Sequence, residues 1–417
     1  MPEKGRDPVG AFVCGAGVLL NDLWQGEISA TAIWLYPLSK APKRDPTSGC
    51  VRNRAEMPCG GPVEPEPVNT GGGKVLVSTQ ILSSRRNLED DMKHLILAAG
   101  IMSATSAVAA DAPVLTVYTY DSFVSDWGPG PQVKAAFEAV CACELNLVGV
   151  EDGAALLSRV RLEGKNTDAD IVLGLDTNLT AAALETGLFA PHSVTADYAL
   201  PIEWTDTTFV PFDWGYFSFI AIAGADVPAN FAELAASDTS IVIQDPRTST
   251  PGLGLLLWVK AAYGDEAPAV WADLSDNIVT VTKGWSEAYG LFLEGEADMV
   301  LSYTTSPAYH LIAEEDASKV AVSFDEGHYA QIEVAAKLAS TDQSELADQF
   351  LAFMVSDAFQ NIIPTTNWMY PAVTPANGLP DGFETLITPK STLLLDAAMA
   401  GEMRDKALTE WLGALSR

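Results

Sequence analysis

The chain has 417 residues, 48% of them hydrophobic, with 55 acidic against 24 basic side chains and a formal net charge of −31. An excess of negative charge on this scale argues against nucleic acid and anionic membrane surfaces as partners, since both carry the same sign. The excess is confined to one part of the sequence: residues 1–110 hold 11 acidic and 11 basic side chains, whereas residues 111–417 hold 44 and 13.

In chain order, residues 1–91 come first. They hold three of the five cysteines (Cys14, Cys50, Cys59) at spacings that match no metal pattern. Their apolar patches keep neither a helical nor a strand period, so this stretch is expected to be a spurious translated leader rather than a domain. At Met92 the character changes. "MKHLILAAGIMSATSAVAADAPV" offers a cation at Lys93, an apolar run from Leu95 to Met102 and small residues before Asp111. That is the build of a secretory signal peptide over 92–110, with cleavage near Ala110 or Asp111 and export to the periplasm. The 307 residues that follow suffice for two α/β lobes, and no later apolar stretch is long enough to span a membrane, so this part is expected to be soluble.

"PVLTVYTYDSF" is a β-branched and aromatic run, and "PQVKAAFEAVCA" after it has helical spacing. "ELNLVGV", "GAALLSRVRLEG", "ADIVLGL" and "LTAAALETGLF" repeat the strand and helix alternation. Short apolar strands joined by crossover helices predict a mostly parallel sheet. "TFVPFDWGYFSFIAI" is a long extended segment suited to crossing between lobes. "FAELAAS", "SIVIQDP", "GLGLLLWVKAAYG", "IVTVTKGWSEAYGLFLEGEADMVLSY" and "VAVSFDEGHYAQIEVAAKLA" continue the pattern, and "SELADQFLAFMVSDAFQNIIP" reads as an amphipathic helix pair. The fold class is therefore α/β, with ligand between two lobes at the carboxyl ends of strands. Cys141 and Cys143, in "VCAC", are read either as a strained short disulfide or as two ordinary thiols.

Catalytic patterns are poor. His192, His310 and His328 form no metal-spaced motif, and there is no nucleophile elbow and no phosphate-binding Gly-Lys loop. Aromatic side chains at strand ends are plentiful instead: Tyr120 and Trp127, Trp285 and Tyr289, Tyr303 and Tyr309, Trp368 and Tyr370. Large rings in exposed loops need something to cover. With Asp152 after a strand they would make an electron-rich, anionic cleft suited to a flat organic cation. The hydroxyl residues of "QDPRTSTPGLG" could serve a phosphate or hydroxyl at a helix start, or simply cap that helix.

The blocks "VLTVYTYDSF…DWGPGP", "LEGKNTDADIVLGLD", "TFVPFDWGYF", "QDPRTSTPGLGLLLW", "VTKGWSEAYGLFLEGEADMVLSYTTSPAYH" and "NWMYPA" resemble the thiamine-binding periplasmic proteins of bacterial ABC importers over nearly all of 113–417. The resemblance implies a type II periplasmic binding protein, two mixed-sheet α/β lobes joined by a hinge, with lobe 1 at about 113–208 and 327–366 and lobe 2 at about 209–326 and 367–417. It implies a transported ligand (thiamine, its monophosphate or its diphosphate), an inner-membrane permease with its ATPase as partner, no resident cofactor or metal and a monomer. Carried over by position, the ligand contacts are Tyr120, Trp127, Asp152, Gly153, Ser249, Trp285, Tyr303, Tyr309 and Trp368.

The same resemblance gives residues 55–75 a meaning. Thiamine-uptake genes often follow a leader RNA that senses thiamine diphosphate, and Ala55-Glu56-Met57 and Glu64-Pro65-Glu66 can be encoded by GCTGAGATG and GAACCTGAA, which hold hallmarks of that RNA. Met92 is accordingly expected to be the start. Two other classes compete with transport of thiamine: binding of another cationic solute or a metal, and a thiamine-degrading transferase on the same scaffold. The transferase would need a cysteine nucleophile, and the two cysteines after residue 111 lie away from the aromatic-bearing loops.

Overall fold

The computed structural model describes residues 112–416, so the leader and signal peptide expected over 1–91 and 92–110 lie outside the described residues. The first unit runs from β1 (Val114–Thr119) through the single turn α1 (Asp121–Val124) to α2 (Gly130–Cys141). Pro131 fits the first turn of α2, where its missing N–H has no helical acceptor, and Val133 and Phe137 bury one face. The helix ends at Ala142, whose φ of 51° is left-handed, between Cys141 and Cys143, which form a disulfide. Two more βα units follow: β2 (Glu144–Gly149) with α3 (Gly153–Glu163), and β3 (Ile171–Asp176) with α4 (Thr180–Leu184). The last helix is shorter than its sequence suggests, because "ETGLF" turns away at Gly187, which has a positive φ.

The long extended segment forms β4 (Val210–Ile222). Then come α5 (Phe231–Ala235), β5 (Ile241–Gln244), α6 (Thr250–Tyr263), α7 (Ala267–Leu274), β6 (Ile278–Thr282), α8 (Trp285–Leu293), β7 (Met299–Tyr303), α9 (Pro307–Ala313), β8 (Lys319–Ala321) and β9 (His328–Lys337). The expected helix pair over 344–364 is three pieces: α10 (Ser344–Met354), α11 (Asp357–Gln360) and α12 (Ile363–Thr366). Ser356 is extended and breaks the run. The chain ends with two-residue strands β10 (Tyr370–Pro371) and β11 (Thr392–Leu393) and the helix α13 (Ala397–Leu415).

The main strand order is β2-β1-β3-β9-β4-β7-β5-β6. The outer groups, β2-β1-β3 and β7-β5-β6, are parallel, as the crossover pattern predicts. The centre departs from it: β9 is antiparallel to both β3 and β4, and β4 is antiparallel to β7. The crossover units are parallel as their pattern predicts, and the sheet as a whole is mixed, as the resemblance implies. The reason lies in β4 and β9, which do not return through a helix on one face as crossover units do. β4 serves two groups in succession, pairing with β9 over Val210–Tyr216 and with β7 and β8 over Phe217–Ile222.

Helix α6 is buried on almost every side, with Leu253, Leu255, Leu256, Leu257, Trp258 and Val259 each 2% exposed or less. A helix apolar on nearly every face, with its one buried lysine, Lys260, paired to Glu410, belongs inside a core. A Cβ at Gly254 would come within 2.0 Å of the Phe217 ring, so that glycine permits the contact between α6 and β4. On the other side α6 and α7 pack against α13, whose Trp411 is buried. Among the described residues no helix is long and apolar enough to cross a membrane.

Candidate ligand-binding site

Five strands, two from one parallel group and three from the other, end toward one cavity. Tyr120 follows β1, Asp152 follows β2, Ser249 follows β5, Trp285 follows β6 and Tyr303 closes β7. The cavity has a volume of about 340 Å³. Seven of the nine residues carried over from sequence line it: Tyr120, Trp127, Asp152, Trp285, Tyr303, Tyr309 and Trp368. Gly153 and Ser249 do not. They sit behind Asp152, whose Oδ1 accepts the Gly153 N–H at 2.8 Å and whose Oδ2 accepts the Ser249 hydroxyl at 2.8 Å. Ser249 opens α6 without capping it through its side chain. Its hydroxyl is spent on the carboxylate rather than on the helix.

The aromatic residues form a connected wall. Trp285 stacks on Tyr289 with centroids 5.0 Å apart and planes at 28°, and Trp127 lies 6.3 Å from Trp285. Trp127 is 55% exposed, so it stands at the mouth. Tyr309 and Trp368, also lining the cavity, meet edge to face at 5.4 Å. Trp368 has φ +56°, a backbone state that bulky side chains avoid and that aims its ring into the cavity from the turn after α12. Polar bonds brace the wall. The Trp285 indole N–H donates to Ser302 Oγ at 2.7 Å, and Tyr289 Oη and His310 Nε2 are 2.9 Å apart. His310 Nδ1 meets Glu314 at 2.6 Å, and Tyr309 donates to the same carboxylate at 3.0 Å. His310 thus ties two rings of the wall together, a role its spacing in the sequence does not signal.

Two carboxylates on the central strands are absent from the sequence-derived set. Glu333 of β9 lines the cavity and accepts from Tyr120 Oη at 2.9 Å and from Gln331 at 2.7 Å. Asp213, its register partner on β4, accepts from Asn367 at 2.6 Å, and Asn367 also donates to Tyr120 Oη at 2.9 Å. Burial pushes Asp152 and Glu333 up from the usual carboxylate range, Asp176 to about 7 and Asp213 to about 8. The signal that could have found them is a lone acidic residue, Glu333 in the buried strand "HYAQIEVAAK" and Asp213 in "FVPFDWGYF", since a charge on a fully buried strand needs a function or a partner. Tyr370, the remaining ring of the sequence set, packs 4.9 Å from Trp214 instead of lining the cavity.

An aromatic cavity with a carboxylate floor at strand ends is a recognition site for a small solute. The sequence profile of the bacterial extracellular solute-binding proteins matches residues 98–361. The chain belongs to that family. This solute-binding protein is 57% identical over 310 residues to the thiamine-binding periplasmic protein of Escherichia coli K12, covering 73% of this chain and 94% of that one. It is 50% identical over 319 residues to the protein of the same name from Brucella melitensis, covering 75% and 95%. Among solved structures, a periplasmic thiamin binding protein superposes with a TM-score of 0.72 at 56% identity, covering 73% of this chain and 97% of that one. A ferric binding protein from Campylobacter jejuni shares the fold alone, with a TM-score of 0.61 at 19% identity. The fold is that of the type II periplasmic binding proteins, and this is a periplasmic solute-binding protein of the transport kind.

Proposed function

We propose that this protein captures thiamine in the periplasm and delivers it to an ABC permease and its ATPase in the inner membrane. The observation that carries the reading is the cavity itself: seven aromatic side chains line a space to which Asp152 and Glu333 also contribute. Thiamine is two flat rings, one of them a permanent cation, joined by a single carbon. Stacked rings suit its faces, and buried carboxylates suit its charge. The names of the relatives from E. coli and Brucella point to the same ligand.

The nine residues taken from sequence divide under this reading. Tyr120, Trp127, Trp285, Tyr303, Tyr309 and Trp368 supply ring contacts, Asp152 supplies counter-charge, and Gly153 and Ser249 hold Asp152 in place. Thiamine phosphates would extend the ligand toward the facing starts of α3 and α6, where backbone N–H groups gather. The protein works as a monomer exported by the signal peptide from Met92, and closes two lobes about β4 and β9 over the ligand. Native mass spectrometry of material purified from the periplasm tests the reading. A retained mass equal to thiamine or one of its phosphates is expected, whereas a metal ion or an unrelated solute would overturn it.

A further inference from the structure

Asp176, Glu333 and Asp213 lie in one row across β3, β9 and β4: Glu333 is the register partner of both others. All three are buried, and Asp152 adds a fourth carboxyl from the start of α3. Among the described residues no lysine or arginine hydrogen-bonds or ion-pairs with any of the four. Their partners are neutral: Asn178 for Asp176, Ser249 and Gly153 for Asp152, Tyr120 and Gln331 for Glu333, Asn367 for Asp213. The other titratable groups near them are Tyr120 just after β1, Tyr303 from β7 and Tyr329 from β9. One acceptor is left over. Asp213 Oδ1 is buried within this row and has no hydrogen-bond partner. A fully charged set of carboxylates without a cation is strongly disfavoured in such surroundings, and a bare carboxylate oxygen there adds to the cost.

We propose that Glu333 and Asp213 are a proton-sharing pair that sets the charge preference of the cavity, holding one proton while the cavity is empty and releasing it when a cation enters. The proposal rests on the thiamine reading for the identity of the cation. The balance is simple: one O–H bond of the pair breaks, its proton passes to the solvent, and the pair, now fully ionised, faces the positive ring. Glu333 lines the cavity and senses the ligand directly; Asp213 is joined to it through Asn367 and Tyr120. Burial raises both groups, and each ionised neighbour raises Glu333 further. A neutral ligand of the same outline would displace no proton and would leave the pair as it stands.

Two measurements on the full mature protein test this. Infrared difference spectra of the ligand-free protein at about pH 7 should contain the carbonyl band of a protonated carboxyl, reduced in Asp213→Asn and in Glu333→Gln. Calorimetric titration with thiamine in buffers of different ionisation heat should show close to one proton released per thiamine, and affinity falling about tenfold per pH unit below the exchange range. Circular dichroism establishes that each variant folds, and having two variants keeps the test open if one does not. A wild-type spectrum without the band overturns the proposal. So does thiamine binding whose heat is the same in every buffer. The band without any thiamine binding supports the protonated pair and overturns the thiamine reading instead.

Discussion

The Ser249 hydroxyl donates to Asp152 Oδ2 at 2.8 Å and so joins the first residues of α6 to those of α3. A backbone bond from Ala155 N–H to Thr248 C=O at 3.1 Å runs beside it. Two helix starts, ninety-odd residues apart in sequence, are therefore tied through the residue that also offers a carboxylate to the cavity. Both helix N-termini favour negative charge, which keeps Asp152 ionised more readily than its burial alone would allow.

Replacing Asp152 by Asn separates charge from shape. The amide keeps an acceptor for Gly153 and places an N–H₂ toward Ser249, whose hydroxyl can turn to accept. Folding should change little, while affinity for a cationic ligand should drop by about 2–3 kcal/mol. Calorimetric titration checks this, and affinity within about twofold of wild type would show that Asp152 serves α3 alone.

Gly153 is a steric gate at the same junction. A Cβ there would stand 2.4 Å from Thr250 Oγ1 and 2.7 Å from the Gly174 carbonyl. Gly153→Ala should push α3 away from α6, break the bond between Asp152 and Ser249, and weaken ligand binding by at least about 1–2 kcal/mol. Small-angle scattering with saturating ligand should show less compaction for the variant than for wild type. Equal compaction and equal affinity would mean that the junction yields without cost.

Trp285 tests the stacking contribution. Trp285→Phe keeps a ring over Tyr289 but loses the indole bond to Ser302, and should cost about 1 kcal/mol of binding. Trp285→Ala should cost about 2 kcal/mol or more by opening the cavity to water. Tryptophan fluorescence titration of the two variants measures the difference, and similar losses would place Trp285 at the rim rather than against the ligand.

Stability should run opposite to the usual acid limb. Asp176 titrates at about 7 and Asp213 at about 8 in the folded chain, against about 4 for a carboxyl in the unfolded one. Between those values the folded state binds more protons, so unfolding free energy falls as pH rises. The ligand-free protein should therefore melt at a higher temperature at about pH 5 than at about pH 8. Asp213→Asn should flatten this slope. A slope unchanged in the variant would remove Asp213 as its source and leave Asp176, Glu333 and the surface charge.

The strands and their order of appearance were legible because apolar runs with β-branched residues need burial on both faces whatever surrounds them, as in "VLTVYT" and "IVLGL". The aromatic members of the site were legible for a related reason, since Trp and Tyr in turns after strands have little to pack on locally. Direction was not. Whether β4 and β9 run parallel or antiparallel to their neighbours depends on where the chain re-enters the sheet, a long-range matter that local pattern does not encode. The same holds for the carboxylates. Asp176, Asp213 and Glu333 are 37 and 120 residues apart in sequence and look like three unrelated acidic residues until the register sets them side by side. The sequence by itself determined which side chains could bind a flat cation. Only the tertiary structure decided that Gly153 and Ser249 bond Asp152, and that Asp176, Glu333 and Asp213 stand in one row, because hydrogen bonds and mutual repulsion exist only between groups that the fold brings within a few ångströms.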